Sequence, residues 1–209
     1  MRSTDGRAVL VAGSTGSGKS AWVMQQVRLK PRLLVWDSLG EWSNKGRVSS
    51  APSLPVLAEV IRKDICGRTN GRFAVGYTGL ASREHFAVFC KLAWVWLRSR
   101  SGGALVVEEL ADVTSPAKAP PSWGEICRKG RHFEAEVYAI TQRPAESDKT
   151  IIGNAAAIHT GLMAFPRDRA YMAECLDVPV AELAALKPLQ WVERDMRTRE
   201  LRRGAVVFR

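Results

Sequence analysis

Residues 9–20 constrain this chain more tightly than any other stretch. The apolar run Val9–Leu10–Val11–Ala12 turns through Gly13, Ser14, Thr15, Gly16, Ser17, Gly18, Lys19 and Ser20 into the helix-like segment Ala21–Val27. The octet matches G-x-x-x-x-G-K-[ST] without a mismatch, and it stands where that motif needs to stand, after a strand and before a helix. Glycines let the backbone fold so that several N–H groups point inward at phosphate oxygens. The helix that follows adds the positive end of its dipole. Lys19 supplies a mobile charge for β- and γ-phosphates, and the Ser20 hydroxyl suits Mg²⁺. The segment implies binding of a nucleoside triphosphate.

A strand feeding such a loop belongs to a parallel sheet, and the rest of the chain keeps that rhythm. Short β-branched runs alternate with helical patterns, the signature of an α/β fold. The expected strands are Ala8–Ala12, Leu33–Asp37, Phe73–Tyr77, Ala104–Val107, Glu136–Thr141 and Gly161–Phe165. Between them Ser82–Arg98 is the clearest helix, with Phe86, Phe89, Cys90, Ala93, Trp94 and Leu97 on one side at helical spacing. Val56–Ile65 and Trp123–Arg128 are further helical stretches. Prolines mark irregular regions at Pro52–Pro55 and Ser115–Pro121. After Pro188, Leu189–Asp195 and Glu200–Phe208 read as a terminal β-hairpin. We expect one domain over residues 1–209, with its core at about 7–165 and helices plus the hairpin in 166–209.

Composition narrows the class. The chain has 209 residues, 46% hydrophobic and 25% charged, the profile of a soluble globular protein with a sizeable core. The longest near-apolar stretch, His85–Leu97, is shorter than a bilayer span and is interrupted by Lys91. Only Ala8–Ala12 is continuously apolar near the N-terminus, too little for a secretory signal. Cys66, Cys90, Cys127 and Cys175 lack metal-ligand spacing and read as reduced thiols. His85, His132 and His159 have no partners at metal spacing and read as structural. The net charge of +10 favours a polyanionic partner such as nucleic acid, with simple solubilising charge as the alternative.

Two further strand ends carry chemistry. Ala104–Val107 runs into Glu108 and Glu109, on the edge where α/β folds bind ligands. One carboxylate suits the Mg²⁺ water shell and the other suits orienting or deprotonating a water. Aspartate is usual at the first position, so Glu108 is a departure and the division of labour stays open. The strand through Ile140 ends in Thr141–Gln142–Arg143–Pro144, whose amide suits sensing a γ-phosphate. Upstream lie Arg128, Lys129, Gly130, Arg131 and His132. These are helix-end cations matched to the dipole, or else an arginine finger for a neighbouring subunit's site. Asp37, at the end of the second expected strand, reads as a residue behind the site or as a simple loop cap.

Together these motifs resemble the FtsK/HerA branch of P-loop ATPases and, within it, the genome-packaging ATPases of tailless, membrane-containing viruses. The resemblance covers roughly residues 7–165. It implies a RecA-like (ASCE) core, a ring that is commonly a hexamer, and translocation of double-stranded DNA driven by ATP with Mg²⁺. Carried over, Lys19 and Ser20 bind phosphate and Mg²⁺, Glu108 sits in the metal's shell, Glu109 is the catalytic glutamate and Gln142 the sensor. Arg131 becomes the finger supplied in trans, with Arg128 in reserve. A packaging role also implies a docking partner at a capsid vertex or in a membrane protein, and a place in host cytoplasm or with the virion. Candidate DNA-facing cations are Arg47, Arg62–Lys63 and Arg68–Arg72, between which the sequence does not choose. Competing readings are a Zot-like assembly ATPase of filamentous phages, a nucleotide-gated scaffold with little turnover, and a small-molecule P-loop kinase. The Glu109–Gln142 pair argues against the last two.

Overall fold

A computed structural model describes residues 6–208; the expected domain limits at residues 1 and 209 lie outside them. In chain order the elements are β1 (Arg7–Ala12), α1 (Lys19–Val27), β2 (Arg32–Trp36), α2 (Glu41–Asn44), β3 (Ser49–Ala51), α3 (Leu54–Ile65) and β4 (Phe73–Tyr77). Then come α4 (Arg83–Ser99), β5 (Ala104–Val107), α5 (Leu110–Val113), α6 (Pro121–Lys129) and a 3₁₀ turn (Gly130–Phe133). The remainder is β6 (Glu136–Thr141), α7 (Thr150–Asn154), β7 (Ala157–Gly161), α8 (Pro166–Leu176), α9 (Val180–Ala184), β8 (Gln190–Asp195) and β9 (Leu201–Ala205).

The nine strands form one sheet in the order β3-β4-β2-β5-β6-β1-β7-β8-β9. The first seven of these run parallel, and β8 and β9 are antiparallel additions at one edge. The fold class is therefore the expected mixed α/β one, with a mostly parallel sheet flanked by helices and a terminal hairpin. Apolar runs such as Val9–Ala12 and Ala104–Val107 are wholly buried because helices cover both faces of the sheet. Alternation sends Leu10 and Ala12 to a face packed by α3, α4 and α6, and Val9 and Val11 to a face packed by α1. On that second face α1 buries Trp22, Val23 and Val27, each valine contributing about 1.5–3 kcal/mol. Helix α4 starts behind Ser82, whose hydroxyl accepts from the His85 amide.

One buried ion pair ties the start of β2 to the ends of α3 and α4. Arg32 donates to Asp64 at 2.9 Å, and Asp64 also accepts from the Trp96 indole and the Thr69 hydroxyl. A buried charge pair is tolerable when its remaining lone pairs are filled in this way.

The sixth expected strand, β7 of the sheet, differs from expectation. It occupies Ala157–Gly161 rather than Gly161–Phe165. His159 and Thr160 break the apolar pattern there, yet both are buried. His159 is sandwiched between Trp22, at 3.9 Å between ring centroids, and Trp191 at 5.2 Å. Residues 162–165 leave the ladder because they serve the glycine-rich loop: Leu162 accepts from the Ser14 amide and Ala164 donates to the Ser14 hydroxyl. Just before the Pro52–Pro55 region, expected as irregular, Ser49–Ala51 form the short edge strand β3, an element not expected from the sequence.

Candidate nucleotide site

The glycine-rich loop leaves β1 between the ends of β6 and β7. Gly13 N–H donates to the Thr141 carbonyl and Ser14 N–H to the Leu162 carbonyl. A Cβ at Gly13 would lie 2.5 Å from the Ser17 hydroxyl, so only glycine fits there. Gly18 opens α1 with φ +92°, and a Cβ on it would meet Val206 at 3.0 Å and Leu189 at 3.1 Å. The hairpin thus packs directly on the start of α1. That helix has no side-chain cap and no acid in its first turn, which leaves its first N–H groups open to an anion. The Ser17 hydroxyl is buried without a hydrogen-bond partner.

Lys19 is buried and folds back over this loop, its Nζ donating to the Ser14 carbonyl at 3.0 Å. Burial lowers its pKa, against the raising charges of Glu109, Glu108 and Glu41. Removed from water and spent on a carbonyl, this ammonium is a poorly satisfied cation that a phosphate would engage better.

Glu108 and Glu109 diverge at the end of β5. Glu108 is buried, and its Oε1 accepts from the Trp42 indole at 2.7 Å. Burial pushes its carboxyl up to about 7, aided by the nearby charges of Glu41 and Glu109 and opposed by hydrogen bonds from Trp42 and Ser20. Glu109 takes φ +47° as the residue before α5, a left-handed conformation that is costly for a glutamate. That twist turns its side chain toward β6, where Oε1 accepts from Gln142 Nε2 at 2.8 Å. Gln142 Oε1 in turn accepts from the Thr15 hydroxyl at 2.8 Å. One chain of hydrogen bonds therefore links the loop after β1, the end of β6 and the end of β5.

These groups fit a magnesium–nucleotide complex by their own chemistry. Ser20 and Glu108 are hard oxygen donors of the kind magnesium takes, and Ser20 is near enough to influence the Glu108 carboxyl. Among the described residues no three His, Cys, Asp or Glu side chains converge on a metal-sized site. An ion here would complete its shell with phosphate and water oxygens, as magnesium does.

The structure brings together Gly13–Ser20, Glu108, Glu109 and Gln142, and leaves Arg131 apart from them. Arg131 lies in the 3₁₀ turn before β6, while Gln142 follows β6, and six strand residues span on the order of 20 Å. At that opposite end Arg131 lines a cavity of about 220 Å³ with Gly6, Arg7, Arg128, Asn154 and Arg197. Action of Arg131 on this chain's own phosphates is excluded by that placement. Asp37 combines the two roles open to it: it caps α2, accepting from the Trp42 and Ser43 amides, and so sets the tryptophan behind Glu108. Trp42 escaped the sequence reading; its one signal was a tryptophan five residues after Asp37, in an otherwise polar loop.

No protein-family model matches the chain. Protein P9 of Pseudoalteromonas phage PM2 is 34% identical over 179 residues, covering 85% of this chain and 78% of P9. The chain belongs to the family of phage PM2 protein P9. Among solved structures, the genome packaging NTPase B204 of Sulfolobus turreted icosahedral virus 2, in complex with ATP-gammaS, superposes with a TM-score of 0.78. Identity there is 16%, and all of both chains is covered. The plasmid coupling protein TrwB, with a non-hydrolysable ATP analogue, gives 0.66 at 11% identity, covering 99% of this chain and 86% of TrwB. The fold of this P9 relative is the one B204 and TrwB share. No helix among the described residues is long and apolar enough to cross a membrane.

Proposed function

We propose that this chain is a single-domain ATPase over residues 1–209 that hydrolyses ATP to move double-stranded DNA into a viral capsid. The observation that carries the hydrolytic reading is the Thr15–Gln142–Glu109 chain, which ties the phosphate loop to a carboxylate able to handle water. Likeness to a genome packaging NTPase in the same fold supports the choice of motor.

In this reading the amides of Gly13–Ser20 cradle the phosphates, and Lys19 exchanges the Ser14 carbonyl for the β- and γ-phosphates. Ser20 and Glu108 hold Mg²⁺, which neutralises developing phosphate charge when bound. Glu109 orients water and takes its proton as the oxygen attacks the γ-phosphorus and the bond to ADP breaks. Gln142, held between Thr15 and Glu109, reports whether the γ-phosphate is present. Arg131, with Arg128 behind it, serves a neighbour's site in a ring of six. The surplus of arginine grips DNA phosphates without regard to sequence. Arg47, Arg62, Lys63, Arg68 and Arg72 are all exposed and available for this. A capsid-vertex or membrane protein docks the ring, and the motor works in host cytoplasm or on the virion.

Steady-state ATP hydrolysis with Mg²⁺, with and without linear duplex, tests the proposal, using single-stranded DNA as comparison. Stimulation by duplex that fades between about 50 and 200 mM salt is expected. ATP binding with negligible turnover under every condition would overturn it in favour of a scaffold.

A further inference from the structure

We propose that Trp42 is a positioning residue for Glu108, held in place by Asp37, and that this support is what fits a glutamate where an aspartate is usual. The inference rests on the magnesium–nucleotide reading of the site.

The residues concerned leave two paired strands side by side. Trp36 of β2 pairs with Val107 of β5, and the Glu108 amide still donates to the Trp36 carbonyl at 3.2 Å. Asp37 and Glu108 thus emerge together at the carboxyl ends, yet their side chains do different things. Asp37, fully buried, spends both oxygens on α2: Oδ1 accepts from the Trp42 amide at 3.0 Å and Oδ2 from the Ser43 amide at 2.9 Å. The Gly40 amide closes the turn onto the Asp37 carbonyl at 2.8 Å. Trp42 is left with 1% exposure and no freedom to pivot.

An indole has one donor and no acceptor, and that donor goes to Glu108 Oε1. A bond of 2.7 Å to a buried carboxylate is of the strong, charge-assisted kind. It fixes the rotation of the carboxyl group and leaves the second oxygen for an ion. Length matters here. Removing one methylene would draw the carboxyl back by about 1.5 Å, stretching the contact to roughly 4 Å, beyond hydrogen-bond range. Glu108 and Trp42 are matched in reach, so an aspartate at 108 would lose the support that tryptophan supplies.

Groups that hydrogen-bond a metal-holding carboxylate typically govern metal affinity by about 10–100-fold. The test is titration of Mn²⁺, followed by its paramagnetic resonance, into the chain saturated with a non-hydrolysable ATP analogue. Trp42→Phe should bind Mn²⁺ about 10–100-fold more weakly while holding the metal-free analogue as before. Glu108→Asp should lose a similar factor, and the double variant little more than either alone, the non-additivity expected of a contact pair. A Trp42→Phe affinity within twofold of the unaltered chain, or losses that multiply, would overturn the inference. Should Trp42→Phe not fold, the indole N–H resonance of Trp42 in Glu108→Asp decides: a shift is expected, and no shift refutes the contact. Failure of the unaltered chain to bind Mn²⁺ with the analogue would instead overturn the nucleotide reading, and the inference with it.

Discussion

The two edges of the parallel sheet are built on opposite plans. At the carboxyl edge the loops after β1, β2, β5 and β6 converge, and their polar groups are spent on one another: Thr15 on Gln142, Gln142 on Glu109, Trp42 on Glu108, Lys19 on Ser14. At the amino edge one set of groups closes on itself, Arg32 and Arg100 on Asp64 and Arg7 on Tyr138, while a larger set of arginines lies exposed around it. Arg68 and Arg72 precede β4, Arg128 and Arg131 precede β6, and all are exposed. Arg197, on the hairpin turn that the Met196–Ala156 bond brings beside β7, joins Arg128 and Arg131 around the cavity. Cations at helix C-terminal ends are stabilised by the dipole, so part of this pattern is local chemistry. In the function proposed above the rest is a division of labour, one edge holding the nucleotide and the other offering charge to a neighbouring copy. The proposed ring would set copies head to tail, each offering its amino edge to its neighbour's carboxyl edge.

The largest effect that would test this pairing of edges comes from Arg131→Ala. If its guanidinium completes a neighbour's site, hydrolysis falls by about 10³–10⁵ while nucleotide binding stays unchanged. Glu109→Gln, at the other edge, should lower the rate by about 10²–10⁴ with binding retained. Mixed rings of the two variants should recover part of the rate, because some interfaces then receive both intact groups. Recovery absent from rings shown to be mixed would separate the edges. A smaller effect sharpens the wiring of the carboxyl edge. Thr15→Val deletes the hydroxyl that steadies Gln142, a bond worth about 0.5–1.5 kcal/mol, and single-turnover hydrolysis should slow by about 3–10-fold. An unchanged rate would mean that Gln142 is held by Glu109 alone.

The smallest effect concerns the face under α1. Burial holds the His159 imidazole below its ordinary 6.5, with Glu193 pulling the other way, so the neutral ring is the form that packs. The unfolded chain therefore takes up a proton first as the solution is acidified. The stabilising effect of the neutral ring is whole above about pH 6.5 and is lost as pH falls through the lower, folded value. For one proton the slope is at most about 1.4 kcal/mol per pH unit. Melting curves from pH 7.5 down to 5 should show this slope in the unaltered chain and its flattening in His159→Gln. Equal slopes would assign the acid limb to other groups.

What could be read from the sequence depended on whether a residue's neighbours were local. The phosphate loop, the acid pair after β5 and the amide after β6 each announce themselves within a few residues of an apolar strand, and they fall together in space. Strand β7 was misplaced because His159 and Thr160 look solvent-facing in sequence. The burial of His159 comes from Trp22 and Trp191, far along the chain in either direction. Trp42 carries no local pattern at all. Its meaning lies in Glu108, 66 positions away, and in a loop too short and polar to suggest a helix. The Gly18 constraint was legible only as motif, since the groups that forbid a side chain there, Leu189 and Val206, belong to the terminal hairpin.

That last contact sets an order of events during synthesis. The Gln25 amide grips the Val207 carbonyl across 182 positions, and Val206 seals the start of α1 beside it. At about 5–20 residues per second, the ribosome makes these partners roughly 10–40 s after Gly18 and Gln25. A nascent chain thus carries the whole phosphate-loop sequence long before the groove beneath it is walled. In the proposed function a subunit still being made would have its phosphate loop but not the hairpin that packs on the start of α1, and would gain its full grip on nucleotide only at the end.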